Sequence, residues 1–227
     1  MAATRPTGRP ISTGRAVDRL INFSDAVVAV AITLMALPLV DIAAPTDGGS
    51  ITSVLWEHAP QISTFLFTFY VVAIMWSAHN RILNVICGYD PAIFWANTTW
   101  LAAIVLLPWI SAMFGESKRS EGGVGLLYWG MLAVISLLGT AMSRHIRLNP
   151  ELIDEGEVRS MRTDARSQWR GVLFAGYFLL IGLISLVAPG ISQWLPFGII
   201  PLSIWLRPAR QDADLNEHDP TSEPKES

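Results

Sequence analysis

Residues 19–37 read RLINFSDAVVAVAITLMAL, an apolar stretch that opens on Arg19 and carries a single acid, Asp25, less than two turns in. A stretch of this length and composition is expected to be a membrane-crossing helix, since about 20 apolar residues span the hydrocarbon. Hydrocarbon does not solvate a carboxylate, so an acid at this position marks a functional or assembly site and needs a partner.

The rest of the chain is built in the same way. Of 227 residues, 51% are hydrophobic and only 15% are charged, where a soluble domain would carry about a quarter charged. The charges fall in blocks, and between them lie six apolar runs: 20–40, 60–80, 91–114, 123–143, 171–188 and 191–206. The third, fourth and fifth contain no charge at all. The sixth is interrupted by Pro196 and Pro201, which membrane helices tolerate where neighbours satisfy the freed backbone groups. The expected fold is all-α: a polytopic membrane protein with six transmembrane helices over 15–207, between disordered cytoplasmic tails at 1–14 and 208–227 that are rich in Pro, Ser, Thr, Gly and charge.

Basic residues orient the six spans. An even number of crossings places fourteen of the sixteen Lys and Arg residues on one side, leaving only Lys118 and Arg119 on the other. By the positive-inside rule both termini are cytoplasmic. The first span has no cleavage site after it and is expected to remain as a helix. In the basic loop near 148–170, Asn149-Pro150-Glu151 is expected to cap a short polar helix leading into the fifth span. Pro189-Gly190 is expected to link spans five and six as a hairpin.

Soluble chemistry finds little support. Cys87 is the sole cysteine, and His58, His79, His145 and His218 show no metal-ligand spacing. There is no G-x-S-x-G elbow, no P-loop, and no basic patch interleaved with aromatics for nucleic acid. A conduit or structural subunit is expected rather than an enzyme, with no cofactor and no bound metal.

The first span carries more detail. On a helix turning about 100° per residue, Phe23, Ala26, Thr33, Leu34 and Leu37 lie within about 60° of Val30, while Asp25 lies about 140° away. Asp41, at the far end, returns to the side of the stripe. Such a stripe packs against a neighbour or lipid, or lines a pore that closes by dewetting, with Asp41 at its mouth. His79, at the basic end of the second span, is placed at the depth of Arg19 and Asp25, where a shared polar network is possible.

A resemblance bears on the choice. Arg19 to Asp25 follows the R-x-x-x-F-S-D pattern of the transmembrane protein 175 family, the lysosomal potassium channels and their bacterial relatives. The run AVVAVAITLMAL resembles that family's first helix; Trp76-Ser-Ala-His79-Asn80 resembles the end of its second, and Asn97 with Pro108 suits its third. The resemblance implies a homotetramer in which first helices surround a central pore without a pore loop. It further implies a constriction at Val30, a hydroxyl-bearing position at Thr33, an apolar ring at Leu37 beside Leu34, and a structural polar network of Arg19, Phe23, Ser24, Asp25, His79 and Asn80. Val30 stands where the family often has Ile or Leu, and Pro38 where an acid is common, leaving Asp41 to attract cations.

The activity implied is a potassium-permeable cation leak channel in the plasma membrane, with potassium ions, the lipid bilayer and other copies of the chain as partners. Two other readings stand beside it. A proton-coupled transporter would use Asp25 and His79 as a relay; a non-conducting scaffold would use the polar network only for assembly.

Overall fold

The computed structural model describes residues 3–4, 10–42, 50–116, 122–154, 156 and 165–188. The fold is a bundle of apolar helices. The N-terminal helix α1 spans Arg15–Leu34, and α2 is the single turn Leu37–Val40. Then come α3 (Ile51–Glu57), α4 (Ala59–Asn84), α5 (Pro91–Glu116), α6 (Gly122–Leu148), a 3-10 turn at Pro150–Leu152, and α7 (Ala165–Val187). The 26 residues of α4 and of α5 rise about 39 Å at 1.5 Å per residue, enough to cross a bilayer.

Local chemistry sets the helix starts. Gly14, at φ 58° and ψ −128°, takes a backbone conformation open to glycine and turns the chain into α1. Asp90 caps α5: its Oδ1 accepts the Ile93 N–H at 3.0 Å, and Pro91 occupies the first helical position, where no N–H is needed. The first span is not continuous. Pro38 has no N–H to donate to the turn before it, and the helix stops at Leu34 before resuming as α2.

The packing follows from which faces are apolar and small. Helix α5 lies against α1, α4 and α6, and α7 packs along α6. Between α6 and α7 the approach is close: a Cβ added at Gly125 would stand 2.8 Å from Ser185 Cβ, so glycine is required there. Across α4, α5 and α6 an aromatic layer fills the core, with Tyr128 stacked on Phe114 at 4.5 Å and its hydroxyl bonded to Thr68 Oγ1 at 2.6 Å.

At the basic end the structure departs from expectation. Pro10–Thr13, inside the stretch expected to be a disordered tail, forms strand β2. It pairs antiparallel with Ala3–Thr4 (β1) on one side and Gly88–Tyr89 (β3) on the other. Ile11 rests on the same apolar cluster as Val17, Leu83 and Ile146, and that burial holds the strand. Asn149 does not cap a polar helix. Its side chain donates to the His145 carbonyl at 2.6 Å, and Pro150–Leu152 forms a 3-10 turn that ends where Leu152 and Ile153 enter the cluster; residues 157–164 of the loop lie outside the described residues. The Cys87 N–H then bonds to the Leu152 carbonyl at 2.9 Å, and Asp154 N–H to Val85 O at 3.0 Å. The sixth run, the Pro189-Gly190 link and the tail 208–227 lie outside the described residues.

Candidate functional site

Helix α1 sorts its residues by angle. Val17, Leu20, Ser24, Val28, Ala31 and Met35 are buried against the bundle. The opposite face is uncovered: Phe23 is 60% exposed, Val30 58%, Leu34 44% and Leu37 62%. Ala26 and Thr33 are exposed on the same face, and Asp41 is exposed beyond it. These are the residues of the stripe read from the sequence, and each is exposed in the subunit, Leu37 beyond the break in the helix.

Consecutive residues of the F-S-D triplet go to three different places, as a turn of about 100° per residue requires. Phe23 heads the uncovered stripe. Ser24, 1% exposed, donates its hydroxyl to the Leu20 carbonyl at 2.8 Å and accepts from Asn97 Nδ2 at 3.0 Å, which fastens α1 to α5. Asp25, half-buried, turns to α4: its Oδ1 accepts the Trp76 indole N–H at 2.8 Å and Asn80 Nδ2 at 3.1 Å. Asn84 in turn donates to the Asn80 amide oxygen. The acid therefore has partners, and they are neutral donors.

That is not the network expected. Arg19 is exposed and forms no ion pair with Asp25 among the described residues. His79 is 3% exposed and stacked on Trp100, ring centroids 3.8 Å apart and planes within 4°. Its ring nitrogens make no well-aligned hydrogen bond, but Asn97 lies within its polar reach and the Asp25 carboxylate within electrostatic reach, with no direct hydrogen bond to Asp25. Of the six residues assigned to one network, Asp25 and Asn80 are bonded directly, while Ser24 and His79 both neighbour Asn97 of α5. Trp100 and the Asp90–His145 pair, Nε2 to Oδ2 at 3.0 Å, were missed. The dipeptide Asp90-Pro91 was the available signal, since an acid before a proline is a helix cap.

Thr33 Oγ1 donates to the Val30 carbonyl at 2.8 Å. With its proton committed to the backbone, the hydroxyl offers lone pairs to the uncovered face, which is the polarity a cation needs. No group of three or more His, Cys, Asp or Glu able to hold a metal occurs among the described residues.

Residues 19–108 match the family described as endosomal/lysosomal potassium channel TMEM175. A potassium channel of Streptomyces collinus is 29% identical over 181 residues, covering 75% of this chain and 84% of the relative. Over that stretch the chain is similar to the TMEM175 family. The rat endosomal/lysosomal proton channel TMEM175 is 26% identical over 138 residues, 59% of this chain and 28% of that protein. A crystal structure of a lysosomal potassium-selective TMEM175 homolog from Chamaesiphon minutus superposes with a TM-score of 0.69 at 22% identity, covering 86% of this chain and all of that one. It shares the fold. The stretch matching the TMEM175 family holds both anchors of α1, Ser24 with Asn97 and Asp25 with Trp76 and Asn80.

Proposed function

We infer that the protein is a potassium-permeable cation channel: a homotetramer in the plasma membrane, termini cytoplasmic, whose four α1 helices surround an axial pore. One observation carries this reading. The buried face of α1 is packed and its acid is satisfied from α4, yet Phe23, Val30, Thr33, Leu34 and Leu37 stay exposed. Four copies turned about an axis cover that stripe with itself. Val30 then forms an apolar ring that resists wetting, Thr33 sets four hydroxyl oxygens one turn outward, and Asp41 draws cations to the mouth. The Streptomyces relative, most of whose length this chain spans, is named a potassium channel, in line with potassium as the permeant ion.

The relay reading draws less support, because Asp25 is occupied by Trp76 and Asn80 and makes no direct hydrogen bond to His79, which is stacked on Trp100. Potassium flux through purified protein in liposomes tests the proposal. A channel passes potassium down its gradient with no opposing proton gradient. Flux that requires proton exchange, or no flux at all, overturns the reading, as does crosslinking in mild detergent that yields a stable monomer.

A further inference from the structure

The arginine-rich end of the bundle is organised around one apolar cluster. Val17 of α1, Leu83 of α4, Ile93 of α5 and Ile146 of α6 are buried together there, which brings four helix ends to one depth. The His145–Asp90 contact at 3.0 Å further fixes the last turns of α6 beside the start of α5. Two arginines stand at this rim. Arg144 is exposed, and Arg147, one turn on, has its Nε buried without a hydrogen-bond partner. Neither forms an ion pair among the described residues, and the nearby buried acid, Asp90, is turned to His145.

From Arg144 an uncovered apolar strip runs back along α6 into the membrane. Val134 and Leu137 are 46% and 50% exposed and Ala141 is exposed as well; with Arg144 they recur at helical spacing on one face. On the adjoining α5, Trp95 is 65% exposed in the second turn, at the depth where indole rings favour the interface. An apolar strip on α6 thus leads to two arginines, one with a buried unpartnered Nε, and the neighbouring helix carries an exposed indole near the same end. A phospholipid presents a complement to these: acyl chain, glycerol backbone, phosphate.

We propose that Arg144 and Arg147 form a binding site for the headgroup of an anionic phospholipid, whose acyl chain lies along Val134, Leu137 and Ala141. A planar guanidinium gives paired N–H donors to phosphate oxygens. A zwitterionic headgroup offers the same phosphate but brings an ammonium group against two arginines. The site requires only that the bundle be embedded in a membrane, so it stands or falls apart from ion conduction.

The test is native mass spectrometry of the full-length protein in detergent with equal amounts of phosphatidylglycerol and phosphatidylcholine. Preferential retention of phosphatidylglycerol is expected. An arginine near an anionic surface contributes roughly a fivefold preference, so R144Q should lower the ratio about fivefold and R144Q/R147Q about 30-fold. Arg144 is exposed and has no hydrogen bond or ion pair among the described residues, so R144Q keeps the test open if the double variant fails to fold. Equal retention of the two lipids by the unsubstituted protein, or an unchanged ratio in R144Q, overturns the proposal. Inorganic phosphate displacing the lipid as well as free phosphatidylglycerol does would reveal a simple anion site and also overturns it.

Discussion

Replacing Asp25 by alanine removes the acceptor shared by Trp76 Nε1 at 2.8 Å and Asn80 Nδ2 at 3.1 Å. Both donors belong to α4 and sit in a part-buried contact, so losing the carboxylate leaves them facing a gap that water fills incompletely. Hydrogen bonds to a charged group contribute about 1.5–3 kcal/mol each, and partial exposure argues for the lower end, so Asp25→Ala should cost about 3 kcal/mol per subunit. Asp25→Asn keeps one carbonyl oxygen for the indole but turns an NH2 toward Asn80, and should cost about half as much. Trp76→Phe removes the donor that Asp25→Ala strands, so the double variant should be more stable than the sum of the two by about 1 kcal/mol. Thermal unfolding followed by size-exclusion chromatography in mild detergent reads all four proteins. If the effects of Asp25→Ala and Trp76→Phe add, the bond contributes nothing to stability. If Asp25→Ala assembles normally and shifts reversal potentials, the acid belongs to the ion path and the packing assignment is wrong.

Val30→Thr should raise single-channel conductance in planar bilayers by easing the wetting of the narrowest ring, and unchanged conductance would place the constriction elsewhere. Thr33→Ala should reduce discrimination between potassium and sodium while leaving assembly intact, since its hydroxyl bonds only to its own helix; reversal potentials under bi-ionic conditions decide it. Asn97→Leu removes the donor to the Ser24 hydroxyl at the α1–α5 contact and should lower thermal stability by about 1–2 kcal/mol, with Ser24→Ala partly restoring it. Asp90→Ala removes the cap of α5 and the partner of His145 and should cost about 2 kcal/mol, whereas Asp90→Asn, which keeps a capping oxygen, should cost less than half of that.

What could be read from the chain was whatever depends on one helix alone. The membrane class follows from runs of apolar residues, and the uncovered stripe of α1 follows from angular spacing, because both are properties of local sequence. Partner choice is different. Asp25, His79 and Arg19 share a depth, and pairing an acid with two bases is the simplest electrostatic solution, yet the structure satisfies Asp25 with an indole and an amide. Depth does not say which way α4 is rotated, and that rotation sends Trp76 and Asn80 toward α1 while His79 goes to Trp100. The order found in Pro10–Thr13 was hidden for a related reason: a composition of Pro, Ser and Thr reads as a tail, and only the burial of Ile11 against residues far along the chain reverses that.

The compactness of the F-S-D triplet has a physical cause. Three adjacent residues cover about 200° of a helix surface, enough to address two neighbours and leave the third direction free. Ser24 holds α5 and Asp25 holds α4 within a single turn of α1, so together they set the rotation of the helix about its own axis. Either bond alone would allow α1 to roll about that contact; two bonds in different directions do not. Beyond Asp25 the buried face of α1 offers only Val28, Ala31 and Met35, whose packing is apolar and tolerant of small rotations. The direction in which Val30 and Thr33 face is therefore decided five to nine residues before them. Phe23, the member of the triplet with no polar bond, is the first residue of the face that the other two hold in place.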